Sequence, residues 1–441
     1  LGEKPIFYFG GKLFGVTFQK HWIAIHNTSG FEKLLRGYEM KWLTGWGYCK
    51  KITIKGRNGI GMGYQMLFKI GESEGSSNYD FHLEGHSSRF PIGKNDSGDI
   101  RFTGLNAANI FPIWVEKVEG TAPNRIAYVW VKILDSLDND VDIYCYYGNP
   151  EALNVSNGED VFEFFDDFDG DSLDTSKWTQ QYSSGGSLNI INSRIIFSSG
   201  GGDYIWIHSN DKFVYPVWVE AKTDFFTSTG ATLRLGQSTG IVLRGDGNYY
   251  DDYSADVYGG SYRIIGDDNS HGWTVASIGC SDTEGIWSFV WNSTGSQIFN
   301  VNYVNKLNGK DSHNEIEDYY IYLGHAKWGG SSSSRVDWIR IRKYVDPTPT
   351  LSSIGDERTG ATLSGTVRDK YGNPILGKTV KVFVLEKTTG QLLGKTTSDN
   401  NGNWSCKVAA SSETKVVTVF TLEGEYHGDV DIAGAEFTFP W

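Results

Sequence analysis

Phe162-Glu163-Phe164-Phe165-Asp166-Asp167-Phe168-Asp169-Gly170-Asp171-Ser172-Leu173-Asp174-Thr175-Ser176-Lys177-Trp178 is the stretch on which the reading of this 441-residue chain turns. An aromatic strand candidate runs into Asp, Gly and Ser, residues that favour turns through local hydrogen bonds and left-handed backbone. Strand candidates then follow at Val217-Trp218-Val219-Glu220-Ala221, Leu233-Arg234-Leu235, Ile241-Val242-Leu243, Trp287-Ser288-Phe289-Val290-Trp291 and Tyr319-Tyr320-Ile321-Tyr322-Leu323. Val336-Asp337-Trp338-Ile339-Arg340-Ile341-Arg342 closes the series, and Gly329 to Ser334 reads as a flexible hairpin tip. The unit spans about 162–345. Asp346-Pro347-Thr348-Pro349-Thr350 reads as a short, stiff linker (346–350) after it.

On the N-terminal side, residues 43–161 alternate with period two at Trp46 to Ile54, Tyr64 to Ile70, Asp99 to Thr103, Ala127 to Ile133 and Val141 to Tyr147. Short strands separated by turn signals predict an antiparallel sandwich. Residues 1–42 stand apart. Ile6, Phe7, Phe9, Phe14, Phe18 and Trp22 sit in short aromatic strand candidates that this segment is too small to bury by itself. Such an arm has to dock, either on its own chain or on an open sheet edge of another subunit. On the C-terminal side, Gly365 to Gly377, Val380 to Val384 and Thr397 to Trp404 read as turn-and-strand units of a last domain, 351–441.

Composition agrees with strands. There are 54 Gly against 3 Met, with 24 Tyr, 24 Phe and 15 Trp, and aromatic residues favour strands while glycine punctuates turns. The formal charge of −13 argues against wrapping nucleic acid, which needs clustered Lys and Arg, and against anionic membrane surfaces. No stretch approaches the ~20 apolar residues of a bilayer-spanning helix. The start Leu1-Gly2-Glu3 reads as a processed mature form and points to an extracellular location. The four cysteines form no C-x-x-C pair. Cys49 and Cys145 lie near the first and last strands of one unit, and the residues admit both a disulfide between them and separate buried thiols.

Three resemblances follow from these motifs. Trp46-x-Tyr48, Asp99-Ile100-Arg101-Phe102, Val129-Trp130-Val131-Lys132 and Tyr146-Tyr147-Gly148-Asn149-Pro150, in that order, resemble a prokaryotic and phage-borne domain family of unknown function. The family implies a surface β-domain and brings no known catalytic residues. The Phe162–Trp178 run and Val336–Arg342 resemble the first and last strands of a concanavalin A-like (laminin-G-like) jelly roll, which implies that the two lie close in one sheet. Residues 365–404 are similar to the transthyretin-like, carboxypeptidase-regulatory-like sandwich, a spacer or partner module.

Candidate chemistry is sparse. Retaining glycosidases need two carboxylates ~5 Å apart. The nearest approach is Glu315 and Glu317, after which position 320 is Tyr rather than an acid. His82 and His86 flank Glu84, with Asp99 nearby in sequence, but lack the H-E-x-x-H order of a zinc protease and sit among loop-forming residues. Asp167, Asp169 and Asp171, joined by Asp337, are hard oxygen ligands suited to a structural calcium; as plain turn and capping residues they need no ion. Tyr249, Tyr250, Asp252 and Tyr253 pair aromatic faces with carboxylates, a combination that suits a shallow glycan site.

The expectation is therefore an all-β chain, with an N-terminal strand arm and three β-sandwich domains: antiparallel sandwich, concanavalin A-like jelly roll and transthyretin/Ig-like sandwich. Its expected role is non-enzymatic, as an extracellular structural or adhesive subunit of a surface filament or virion appendage. Its expected partners are other copies of itself, other surface subunits, and glycans. The alternatives are a secreted polysaccharide hydrolase or lyase and a soluble lectin.

Overall fold

The computed structural model describes residues 42–226 with small gaps, then 231–236, 252–258, 261–267, 272–279, 285–291, 296–302, 304–310, 318–327, 332–367, 373–386, 392–410, 415–422 and 431–438. It also describes N-terminal strands at Ile6–Phe9, Lys12–Gly15 and Trp22–Ala24. The protein is all-β, and the helix among these residues is a single turn, Gly158–Val161. No helix among them is long and apolar enough to cross a membrane. The chain forms two compact units. One joins residues 1–157 to 349–441, and the other is Gly158–Thr348.

In the first unit, a six-stranded sheet runs in the order Asn403–Ala410, Thr350–Thr366, Tyr48–Lys55, Val141–Tyr147, Arg101–Thr103, Ile110–Phe111. A four-stranded sheet is ordered Phe81–His82, Tyr64–Gly71, Ile126–Ile133, Ile113–Glu119. The period-two pattern explains the layers. Ile52, Ile54, Ile143 and Phe102 leave one face of the first sheet and are buried, with Phe102 stacked on Phe68 of the second at 5.4 Å.

The seventeen-residue strand Thr350–Thr366 departs from the sequence reading. Its first part pairs with Tyr48–Lys55, and its second part, from Thr359, pairs with Asn403–Ala410. The boundary read at 351 thus falls inside one continuous strand. That strand serves the N-terminal sheet and the C-terminal core of Val367, Val380, Val382, Val384, Leu393, Trp404 and Val408 alike. A five-stranded sheet completes the C-terminal sandwich in the order Trp22–Ala24, Asp431–Thr438, Lys415–Leu422, Val380–Glu386, Leu392–Thr397. The arm is therefore anchored within its own chain, Trp22 being paired with Ala433. Ile6, Phe7 and Phe9 pair in a hairpin with the strand that holds Phe14. Phe18 lies outside the described residues.

The second unit is a sandwich of two large antiparallel sheets. One runs Ser187–Ile190, Ile195–Ser199, Ser332–Lys343, Val217–Phe226, Gly285–Trp291, Ser296–Val301, Val304–Lys310. The other runs Trp178–Tyr182, Asp203–Ser209, Asp318–Lys327, Ala231–Gly236, Asp252–Tyr258, Ser261–Asp267, Gly272–Gly279. The opening strand Phe164–Asp166 pairs with Ser332–Lys343 through Phe164–Ile341 and Phe165–Arg340, as the jelly-roll resemblance implies. Between the sheets lie Trp178, Ile205, Ile207, Val219, Trp287, Phe289, Ile321, Leu323, Ile339 and Ile341.

Candidate functional site

In the first unit the sequence motifs converge on one buried carboxylate. Asp99, fully buried, accepts hydrogen bonds from Ser87 Oγ (2.5 Å), Ser88 N (2.7 Å), Arg89 N (3.3 Å), Gly148 N (2.9 Å) and Asn149 N (3.1 Å). Its own carbonyl accepts Trp46 Nε1 at 2.7 Å. Arg101, two residues on, stacks its guanidinium on Trp46 at 5.4 Å and donates to the Ile100 and Leu153 carbonyls. The Asp-Ile-Arg-Phe and Tyr-Tyr-Gly-Asn-Pro motifs are thus two halves of one clasp. Gly148 sits at φ +80°, and a Cβ there would meet the Tyr48 ring at 2.5 Å, so this turn requires glycine.

Beside the clasp, Glu357 accepts hydrogen bonds from His86 Nδ1 (2.9 Å) and Tyr147 Oη (2.7 Å). The register shift between Ile354 and Glu357 turns this side chain toward them. Burial, then the Glu357 hydrogen bond, drives the Tyr147 phenol far above its usual range. Tyr48 stacks on both His86 (4.6 Å) and Tyr147 (5.8 Å). Lys50 pairs with Glu84 at 2.5 Å, and Glu84 also faces His82 Nδ1 at 3.4 Å. His82 and His86 therefore have separate partners, and Asp99 is engaged by main-chain amides. Among the described residues no three His, Cys, Asp or Glu side chains gather where they could hold a metal.

The same holds for the calcium expectation. Asp167, Asp169, Asp171 and Asp337 are not brought together as ligands. Asp169 accepts from Ser193 Oγ at 2.9 Å, and the neighbouring Asp174 accepts from Ser176 N and Oγ. Asp166 is the buried acid of that run, accepting from Trp178 Nε1 (2.6 Å) and Phe168 N (2.8 Å). Burial raises its carboxyl above the usual range.

Of the two arrangements the sequence admits for Cys49 and Cys145, the structure has the separate thiols. Cys49 and Cys145 are buried free thiols. In the antiparallel register Cys145 stands opposite Lys50, and Cys49 opposite Tyr146. Directly opposed residues share a face, and faces alternate along a strand, so the two sulfurs point to opposite sides of the sheet. Burial pushes the Cys49 thiol up to about 12, which leaves it protonated and unreactive at neutral pH.

The jelly roll carries the second candidate. Ile205, Ile207, Ile321 and Leu323 fill the core, so Trp206, His208, Tyr320, Tyr322 and Gly324 alternate onto the opposite face of the second sheet. His208 lies 5.4 Å from both Tyr320 and Tyr322, and its Nδ1 donates to the Ser209 carbonyl at 2.9 Å. The exposed Lys212 places its ammonium 5.1 Å from the half-buried Tyr320 ring. Trp206 lies across Gly324, where a Cβ would meet its ring at 2.2 Å. The same Cβ would lie 2.5 Å from the Ile205 carbonyl oxygen, so Gly324→Ala is expected to displace both Trp206 and the neighbouring strand at a cost of about 1–3 kcal/mol, read as a lower melting temperature with altered tryptophan fluorescence.

Of the residues read as a glycan site, Tyr249 and Tyr250 lie outside the described residues. Asp252 and Tyr253 fall on the strand Asp252–Tyr258 two places along this same sheet. Glu315 and Glu317 also lie outside the described residues. The sequence reading passed over Trp206, His208, Tyr320 and Lys212. The alternation of Tyr320, Ile321, Tyr322 and Leu323 was the signal that separated this face from the core.

Several solved structures resemble part of the chain. A prokaryotic β-1,3-1,4-glucanase (lichenase) derived from a mouse hindgut metagenome is 13% identical, with 41% of this chain and 99% of that one covered and a TM-score of 0.32. LamAcat from Zobellia galactanivorans is 14% identical, covering 41% of this chain and 97% of its own, at 0.32. An immunostimulatory antigen and pseudo β-1,3-glucanase of Mycobacterium tuberculosis is 16% identical, covering 42% and 99%, again at 0.32. Comparison with curated proteins gives no match. A family described as a domain of unknown function (DUF2341) matches residues 96–181, a span that begins with the Asp99 clasp and ends on the Trp178–Tyr182 strand of the jelly roll.

Proposed function

We propose that this chain is a non-enzymatic, extracellular structural and adhesive protein, a subunit of a surface filament or virion appendage, whose jelly roll contacts glycans. The observation that carries the glycan part is the ring-lined outer face of the second sheet. Tyr320 and Lys212 reach solvent there, and Trp206, His208 and Tyr322 lie buried behind them. Sugar C–H faces stack on aromatic rings, and sugar hydroxyls accept hydrogen bonds from an ammonium group. The all-β architecture and the C-terminal sandwich, read as a spacer module, support the display role. The N-terminal hairpin, which pairs with no third strand among the described residues, supports assembly.

A glycan array probed with the full chain, followed by titration of the best ligand, tests this reading. Tyr320→Ala is expected to weaken binding at least tenfold and Lys212→Ala several-fold, with melting temperatures little changed. Equal binding by both variants, or release of reducing ends from a polysaccharide on incubation, would replace this reading with another site or with the hydrolase alternative.

A further inference from the structure

Ile6–Phe9 and Lys12–Gly15 form a two-stranded hairpin that pairs with no third strand among the described residues. Isolated hairpins are marginal in water, and this one reads Ile-Phe-Tyr-Phe-Gly-Gly-Lys-Leu-Phe-Gly. It is tethered close by, because Trp22–Ala24 is fixed against Asp431–Thr438. The residues from Gly15 to Trp22 give it a reach of about 25 Å.

The described sheet edges differ in how they are protected. Ile113–Glu119 is closed by Asn95 N and Asn157 N, which donate to the Val115 and Ile113 carbonyls, and by Ser156 Oγ, which accepts from Val115 N. Leu392–Thr397 carries Lys395, and Asn403–Ala410 carries Lys407. Trp178–Tyr182 presents the polar, exposed Thr179 and Gln180. The edge strand Ser187–Ile190 has no charge, no proline and no bulge against its partner. Leu188 and Ile190 are half-buried along it, and Ile191, 52% exposed, protrudes just beyond. Asn192 and Ser193, both at positive φ, close its hairpin tightly with Ile195–Ser199, and among the described residues no strand pairs with its outer edge. Natural sheets usually blunt such edges with charge, proline or bulges. At four residues it also equals each hairpin strand in length.

We infer that the outer edge of Ser187–Ile190 receives the Ile6–Gly15 hairpin of a second copy, as added strands of the same sheet. The inference rests on the assembly reading above and gives it a donor and an acceptor. Main-chain hydrogen bonds supply the joint, and the apolar side chains of the donor meet Leu188, Ile190 and Ile191.

Light scattering on the full chain across a concentration series tests it. The parent chain should form multimers. Asn189→Lys/Ile191→Lys, which places charge at two exposed positions of the edge, should give monomers, as should removal of residues 1–19. Gln180→Lys on the rival edge should leave the multimer intact. In a mixture of one copy carrying Tyr8→Cys with another carrying Asn189→Cys, a disulfide-linked heterodimer should form. Multimers that survive Asn189→Lys/Ile191→Lys, or that dissolve with Gln180→Lys, overturn the inference and leave assembly standing. A parent chain that is monomeric at every concentration overturns both.

Discussion

Asp99→Ala is expected to unfold the first unit at temperatures where the parent chain is intact. The side chain is fully buried and accepts five hydrogen bonds, four of them from main-chain amides. Hydrogen bonds to an ionised group contribute about 1.5–3 kcal/mol each, and an orphaned buried donor costs about 1–3 kcal/mol. These effects do not add, and water entering the gap would recover part of the loss, so a destabilisation of about 4 kcal/mol or more is expected. Asp99→Asn keeps the shape and one good acceptor but turns the other atom into a donor facing donors; about 2–3 kcal/mol is expected there. Thermal denaturation, with hydrogen exchange on Tyr48–Lys55 and Val141–Tyr147, gives the answer. A change within the ±0.5 kcal/mol of an ordinary surface substitution would show that Asp99 does not organise the motif turns.

In the second unit the corresponding effect belongs to Glu220. Its carboxylate is fully buried, with Arg340 Nε at 2.7 Å and Arg342 Nε at 3.1 Å. Arg340 also lies over Trp338 at 4.2 Å, and Arg342 over Trp218 at 3.5 Å. Glu220→Ala removes the counter-charge of two buried guanidinium groups, and breaking such a group costs about 3–5 kcal/mol. Replacing all three by apolar residues of similar volume should cost much less, because no charge is then left uncompensated. Burial pushes the Glu220 carboxyl up, but Arg340 and Arg342 more than offset this and hold it below the ordinary carboxylate range. A carboxyl depressed in the folded state stabilises fully above its unfolded value, about 4.3, and this contribution is lost as pH falls through the folded value. Acid titration of the parent chain should show that loss below about pH 4. Its persistence in Glu220→Gln would assign it to other carboxylates.

Much of the jelly roll was legible in the sequence, because alternation and turn chemistry are local. Phe164–Asp166 and Val336–Arg342 were expected in one sheet and are paired there. The Ser-Asp-Asn-Asn-Gly-Asn-Trp turn was equally plain. Asp399 accepts from Asn401 N and Asn403 N, and Gly402 takes φ +76°. What stayed hidden depended on register or on distant pairing. Nothing local shows that Cys49 and Cys145 face opposite ways; one residue of register decides it. Among the acids near Asp166, composition favours any as a ligand, whereas burial singles out the one with a tryptophan partner. Glu357 carries no signal of its own, since its contacts with His86 and Tyr147 come from a strand far along the chain.

The shared strand has a consequence for how the protein is made. Tyr48–Lys55 leaves the ribosome about 300 residues before Thr350–Thr359, the segment that pairs with its second edge. At ~5–20 residues per second, that edge waits at least ~15 s for its partner, while the jelly roll is synthesised in between. During that interval the nascent chain exposes an unpaired strand edge, the state in which chaperones engage and mispairing starts. A released chain that stops at Thr348 should therefore hold a jelly roll that is protected from protease while Tyr48–Lys55 is not.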